Sequence, residues 1–373
     1  VSLEDFGTKI GAPDWLANKR RALLVLCAAL LVLVGVALLV GKLAGYHRII
    51  NAVEEADWRW LPLCLAGEVA AYVGYVLAFR DSTLADGGPI LRRVLLLRVV
   101  FASIGATRLA AAGGAGGLAV DYWALRRARV PRHDAIRRVL AFNTLLYLFF
   151  GTLAWCAALL LLLHAWGTAP LGMTLPWLAV IPTCVLAAAW VSRPQRAARL
   201  TKLTGRWFRK AFADAVAGVV LVRHIVTRPH TYREGLIGAP LYWVGDMICL
   251  AAALRAFGVK VSLAGVVLAY CTGYLAVLLP LPTGAEGGFE ASLTFTLHAL
   301  GAPLAPALLA VLTYRFFSFW LPTLPAIAIL PTLPHIARDL EAESPLPPET
   351  APGAASEPAP APTADAHVAK RPS

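Results

Sequence analysis

Two carboxylates and a guanidinium stand in an apolar setting at Glu286, Glu290 and Arg315. Glu290 follows Glu286 by one helical turn, which puts both on the same face. A guanidinium fork suits a phosphodiester, because it offers two hydrogen bonds and a charge that does not titrate away. The carboxylates suit a cationic headgroup, a coupling proton or the arginine itself, and the sequence leaves these three open. A second set lies upstream, where Arg108 precedes a run of glycines and Asp121 follows it. Glu68, Arg98 and Asp246 are further charges inside apolar runs, with no motif around them. Each of the eight costs about 2.5–3.5 kcal/mol at the centre of a membrane helix unless paired or hydrated. For Glu68, Arg98 and Asp246, internal salt bridges and a functional role stand equally.

The elements that must position these residues are membrane spans. Of 373 residues, 58% are apolar, and runs of about twenty residues are long enough to cross the hydrocarbon core. Residues 1–21 are polar and end in Lys19-Arg20-Arg21; Ala22 to Gly41 is then almost wholly aliphatic. It is too long for a signal peptide and no small-residue cleavage pattern follows it. Further apolar runs cover Trp60 to Phe79, Val94 to Thr107, Val139 to Leu163, Leu175 to Val191, Gly235 to Ala253, Val261 to Leu279 and Ala305 to Leu330. Residues 344–373 are Pro, Ala, Ser and Glu without periodicity and read as a disordered tail.

Charge supplies the topology. The net charge of +12 reads as the cytoplasmic bias of Lys and Arg rather than as a nucleic-acid surface. Segments 1–21, 80–93, 125–138 and 192–233 hold 23 Lys and Arg, against 5 in 42–59, 164–174 and 254–260. With the first set inside, both termini are cytoplasmic. Residues 94–125 then enter from the cytoplasm and return to it, while 261–300 enter and return on the opposite side. The connector 192–233 carries Leu200, Leu203, Trp207 and Phe208 on one helical face, with Arg196, Arg199, Lys202, Arg206 and Arg209 around the rest. It fits a helix on an anionic leaflet surface or a solvated loop helix equally well, cytoplasmic in either case.

The two hairpins resemble each other. Ala112-Gly113-Gly114-Ala115-Gly116-Gly117 lies on Thr283-Gly284-Ala285-Glu286-Gly287-Gly288 at an offset of 171, and one residue later Pro131 falls on Pro303. The expected hairpin turns comprise Gly113, Gly114, Gly116 and Gly117 in the first, and Pro282, Gly284, Gly287 and Gly288 in the second. Glycine breaks helices and frees N–H groups to meet an anion; it also serves plain close packing of helices. Broken helices in inverted repeats are a transporter architecture. The expected fold class is therefore an all-α polytopic membrane protein with two glycine-rich re-entrant hairpins as inverted-topology repeats. The transmembrane parts are 22–191, with hairpin 94–125, and 234–335, with hairpin 261–300.

The stretch PxGxEGGFE, followed by LGAP and LTYRFFSFWLP, resembles the lysylphosphatidylglycerol synthase/flippase transmembrane-domain family. The first hairpin, with GGxGG and a downstream RRARVPRHDA, is similar to that family's first conserved region, and the resemblance covers most of residues 20 to 335. It implies re-entrant hairpins facing a lipid-headgroup cavity, and often dimers. Two departures stand out. These residues include no soluble aminoacyltransferase segment, so lysyl transfer is not expected of them. Asn143 stands where the family pattern implies arginine, which leaves Arg315 without a symmetrical mate.

The favoured reading is a flippase- or scramblase-like translocator in a bacterial cytoplasmic (inner) membrane. It moves a phospholipid or lipid-linked sugar, with Arg108, Asp121, Glu286, Glu290 and Arg315 as headgroup contacts. The alternatives are a membrane-embedded transferase acting on a lipid carrier, with Glu286 or Glu290 as general base, and a membrane partner of a separate lipid-modifying enzyme. No nucleotide-binding GxxxxGK[ST] is present. No cofactor, metal or nucleic-acid partner is expected. Cys27, Cys64, Cys156, Cys184, Cys249 and Cys271 all lie in apolar runs as small core residues. His224 and His230 read as loop residues.

Overall fold

The computed structural model describes residues 51–109, 115–193, 196, 209–278 and 287–344. The first apolar run, 22–41, residues 110–114 and 279–286, where the hairpin turns were expected, and residues beyond 344 lie outside the described residues. Every described element is helical. Helix α1 is Leu61–Leu84, α2 Arg93–Leu109, α3 Ala115–Arg127, α4 Arg132–Leu162 and α5 Leu171–Val191. Then come α6 Arg209–Thr227, α7 Arg233–Ala256, α8 Leu263–Tyr274, α9 Gly288–Ala299, α10 Leu304–Arg315, α11 Leu321–Ile329 and α12 Leu333–Glu343.

Five segments are long and apolar enough to cross a membrane: Trp58–Leu84, Arg132–Leu162, Leu171–Val191, Arg233–Ala256 and Leu304–Glu343. Their surfaces are turned inside out relative to a water-soluble bundle. On α1, Glu68 is 5% exposed while Val69 is 56% exposed. A multi-pass membrane protein accounts for that inversion, since lipid and not water meets the outer face.

The longest seam joins α1 to α7. Both are 24-residue helices, and they run antiparallel, with Gly67 against Gly245 and Gly74 against Gly238. A Cβ added at Gly67 would stand 2.6 Å from the Gly245 carbonyl, and one at Gly238 would stand 2.5 Å from that of Gly74. Only glycine lets the backbones come this close, and in a membrane such packing replaces the missing hydrophobic drive between helices. At one end of the seam Asp81 accepts the Gly235 N–H at 2.6 Å, and Arg80 and Arg93 both pair with Glu234 at 2.7 Å.

Around that seam two groups of helices pack in corresponding ways. In the first, α2 packs on α3 and α3 on α4; in the second, α8 packs on α9 and α9 on α10. The groups also cross over, α2 lying on α11 and α8 on α4. One apolar core gathers Phe79, Leu96, Phe142 and Leu145 with α6 and α12, and the other gathers Trp243, Leu250, Tyr270 and Leu293. Helix α5 packs mainly on α4, touches α6 and α8, and otherwise presents Leu175, Val185 and Leu186 outward.

Two segments differ from expectation. The second half of the connector, where His224 was expected as a loop residue, is packed helix: α6 lies along α4, and Gly218 approaches Leu140 closely enough that a Cβ would sit 3.0 Å from it. His224 therefore lies on a helix, 3.4 Å from Asp86. Most of the basic face at 199–206 lies outside the described residues. The other difference is α12, an amphipathic helix burying Leu333, Ile336, Ala337 and Leu340. It lies across α2 and α3, with Arg98 to Asp339 at 2.7 Å, Arg127 to Glu341 at 2.9 Å, and Arg92 paired to Glu343.

Candidate functional site

Gly287 has φ of +80°, a left-handed conformation that suits glycine, and it sets the start of α9. Three residues on, Glu290 is placed to fold back onto that start, and its Oε2 accepts the Gly287 N–H at 2.6 Å. This is a capping-box arrangement, satisfying one of the orphan donors of a helix amino terminus. Its other oxygen, Oε1, accepts from Arg315 Nε at 2.5 Å. Glu290 is 2% exposed, so the helix cap and the ion pair are made out of contact with solvent or lipid.

Arg315 is the last residue of α10, immediately before a π-helical turn at Phe316–Trp320. Such turns rotate the following side chains out of α-register, and they concentrate at functional sites. The result is a guanidinium held between two rings, 5.2 Å from the Phe289 centroid and 4.5 Å from that of Phe319. Both the carboxylate and the aromatic faces favour the cation. A guanidinium carries five N–H donors, and Glu290 takes the one at Nε.

Beside this pair lies a second polar group. Asp246, on α7, accepts hydrogen bonds on Oδ2 from Tyr314 at 3.0 Å and from Tyr270. Tyr314 precedes Arg315, so α10 delivers one donor to Asp246 and the next residue to Glu290. Asp246 Oδ1 has no hydrogen-bond partner among the described residues. Around it the rings of Trp243, Tyr270, Tyr274, Phe289 and Phe150 pack edge to face or tilted against one another.

The first group of helices carries a separate cluster. Asp121 is 1% exposed on α3, facing Ser103 of α2. Ser103 Oγ donates to the Gly117 carbonyl at 3.1 Å, and Thr107 Oγ1 donates to the Ser103 carbonyl at 2.9 Å. A Cβ on Gly117 would stand 2.3 Å from Thr107 Oγ1.

Of the residues singled out from sequence, Glu290 and Arg315 meet directly. Asp121 does not join them; its neighbours are the hydroxyls of α2. Gly116 and Gly117, expected in a turn, sit in the first turn of α3, and Gly288 opens α9, leaving Gly287 as the turn glycine. Arg98 belongs to the α12 contact. Among the described residues Asp246 makes no ion pair and takes phenol donors instead. Glu68 is buried on α1 beside the seam. Gly113, Gly114, Pro282, Gly284 and Glu286 lie outside the described residues, and Arg108 is described only as backbone in the last turn of α2. No group of three His, Cys, Asp or Glu residues fit to hold a metal occurs among the described residues.

Sequence reasoning missed Tyr270 and Tyr314. Both lie in apolar runs where a tyrosine looks like any core aromatic, and only the fold brings them to Asp246. The spacing Leu333, Ile336, Ala337, Leu340 of α12 was a readable amphipathic signal.

The family model described as lysylphosphatidylglycerol synthase TM region matches residues 25–326. No curated protein matches the chain.

Proposed function

The chain belongs to the lysylphosphatidylglycerol synthase TM region family, and from that premise we propose that it moves a phospholipid or lipid-linked headgroup across a bacterial cytoplasmic membrane. The observation that carries this reading is the buried Glu290–Arg315 pair at the start of α9, backed by the Gly287 N–H. It is a site of both charge signs at a helix amino terminus inside an apolar protein, suited to a phosphodiester and its counter-charge. A headgroup phosphate competes with Glu290 for the guanidinium, and a cationic group on the same lipid competes with Arg315 for the carboxylate. The pair keeps the site charge-balanced when empty.

The packing supports the inverted-repeat part of the proposal. Adding 171 to Gly67 and Gly74 gives Gly238 and Gly245, the glycines they face across the seam in exchanged order. That exchange is what a two-fold axis between α1 and α7 requires, and the crossed packing of α2 on α11 and α8 on α4 follows the same axis. Two groups related in this way supply two similar states open to opposite leaflets. In this reading both termini are cytoplasmic, no group is transferred, and a second copy or a lipid-modifying enzyme is a partner.

Purified protein in liposomes with headgroup-labelled phospholipids tests the proposal. Wild type is expected to equilibrate label between leaflets, and the Arg315→Ala/Glu290→Gln double variant to be slower by about tenfold, the equivalent of about 1.4 kcal/mol in barrier. Equal rates overturn the site assignment, and conversion of the lipid to a new product overturns the translocator reading.

A further inference from the structure

We propose that Asp246 is a proton-binding site, and that its charge holds α8 and α10 against α7. Three side chains on three helices meet here. Asp246 stands on α7, Tyr270 on α8 and Tyr314 on α10, and both hydroxyls converge on the single oxygen Oδ2. Hydrogen bonds to an ionised carboxylate are about twice as strong as those to a neutral one. The ionised form therefore clamps the three helices together. The second oxygen, Oδ1, is buried and has no partner among the described residues, on a residue only 8% exposed. That vacant acceptor is where a proton binds, giving a neutral carboxylic acid from carboxylate and H⁺ with no other reactant. The acid holds the phenols less tightly, and the clamp loosens.

The donor set favours a proton over a metal cation. A hard cation takes about six or more oxygen ligands, whereas the two phenols here point their hydrogens, not their lone pairs, at the carboxylate. Glu290 is a poorer candidate, because each of its oxygens already has a donor. Asp121 lies with α2 and α3 and ties no third helix.

Titratable and charged groups stand around Asp246 on α7, α1, α8 and α10, and Tyr147 of α4 adjoins Tyr242 and Tyr274. Tyr242 and Cys249 share α7 with it; Glu68 approaches from α1; Tyr270 and Tyr274 stand on α8; and Tyr314 and Arg315 stand on α10. Helix α8 is one arm of the second hairpin and α10 carries Arg315, so the clamp joins the two parts that lipid movement must shift. Only this link to transport rests on the translocator reading; proton binding stands apart from it.

Infrared titration of purified protein against Asp246→Asn reads the site directly. A carboxylic-acid carbonyl band that grows as pH falls in wild type is expected to be lost in the variant; the same band in both overturns the proposal. Tyr314→Phe and Tyr270→Phe retain the carboxylate and cover the case of an Asp246→Asn protein that does not fold. Each is expected to move the band's titration midpoint, and midpoints unmoved in both overturn the proposal. In liposomes, the translocation rate is expected to depend on pH in wild type and to lose that dependence in Asp246→Asn. An unchanged dependence overturns the coupling. A titrating band with no lipid movement by wild type instead removes the translocator reading and leaves the proton site standing.

Discussion

The groups α1–α4 and α7–α11 share a plan and differ in their charges. Both start with a 24-residue helix bearing two glycines seven residues apart, and both continue through a helical pair onto a long span. Yet at the offsets that align them, Glu290 corresponds to Ala119 and Arg315 to Asn143. Asn143 spends its amide on the Val139 carbonyl of its own helix, at 3.0 Å. Asp246 corresponds to Tyr75, a phenol in place of a carboxylate. Among the described residues the first group holds Asp121 without an ion pair, and its ion pairs lie at the helix ends, to Glu234 of α7, to Asp86 and to α12. Backbone packing is thus common to the two groups, while the carboxylate–guanidinium pair and the phenol-bonded carboxylate lie in the second. A framework that tolerates only glycine at the seam imposes no such demand on positions 143 and 315.

That contrast predicts a separation of effects. The largest change is expected from the shared seam. Gly245→Val puts a side chain where even a Cβ meets the Gly67 carbonyl at 2.6 Å, and overpacking of this kind costs about 1–3 kcal/mol or more. A fall of several degrees in melting temperature in detergent is expected, together with loss of transport. The matching Gly74→Val, from the other group, is expected to fall equally. A large inequality between them breaks the idea that the seam treats the groups alike.

The sequence made the spans legible because a membrane imposes length and apolarity on every crossing helix. Trp60 to Phe79 lies within the spanning segment Trp58–Leu84, Gly235 to Ala253 within α7 and Leu175 to Val191 within α5. Glu290 and Arg315 were legible as costly intramembrane charges that need a partner, and the fold shows that they meet each other. Other features depend on long-range geometry. Gly67 and Gly74 look like ordinary small residues until α7 is laid against them, and Tyr314 gains a role only by reaching Asp246. Gly116 and Gly117 misled because one residue type serves both turns and close packing. Here, with Ser103 and Thr107 pressed against α3, packing won.

A smaller change sharpens the chemical half of the comparison. Arg315→Lys keeps the positive charge but loses the planar group that lies between Phe289 and Phe319 while bonding Glu290. A lysine ammonium is a point charge without that fork. Transport by Arg315→Lys is expected to fall between wild type and the Arg315→Ala/Glu290→Gln protein. Asn143→Ala is expected to stay within about twofold of wild type, the equivalent of about 0.4 kcal/mol in barrier. If Asn143→Ala costs as much as Arg315→Lys, the interior polar chemistry is shared after all.

The smallest effect is expected where the first group meets α12. Arg98–Asp339 and Arg127–Glu341 are partly exposed pairs, with side chains a third or more accessible. Pairs of this kind contribute about 0.2–1 kcal/mol each and weaken as salt rises. The apolar face of Leu333, Ile336 and Leu340 holds α12 in place, and the charges set its register over α2 and α3. Asp339→Asn with Glu341→Gln is therefore expected to leave the melting temperature nearly unchanged while speeding hydrogen exchange along 333–343. The speeding should be greatest at low salt and shrink as salt is added, because wild type then loses the same pairs. Exchange that is unaffected by the substitutions at every salt concentration would show that α12 is held by its apolar face alone. The outward ion pairs of the first group would then be incidental, and the difference between the two groups would reduce to the interior of the second.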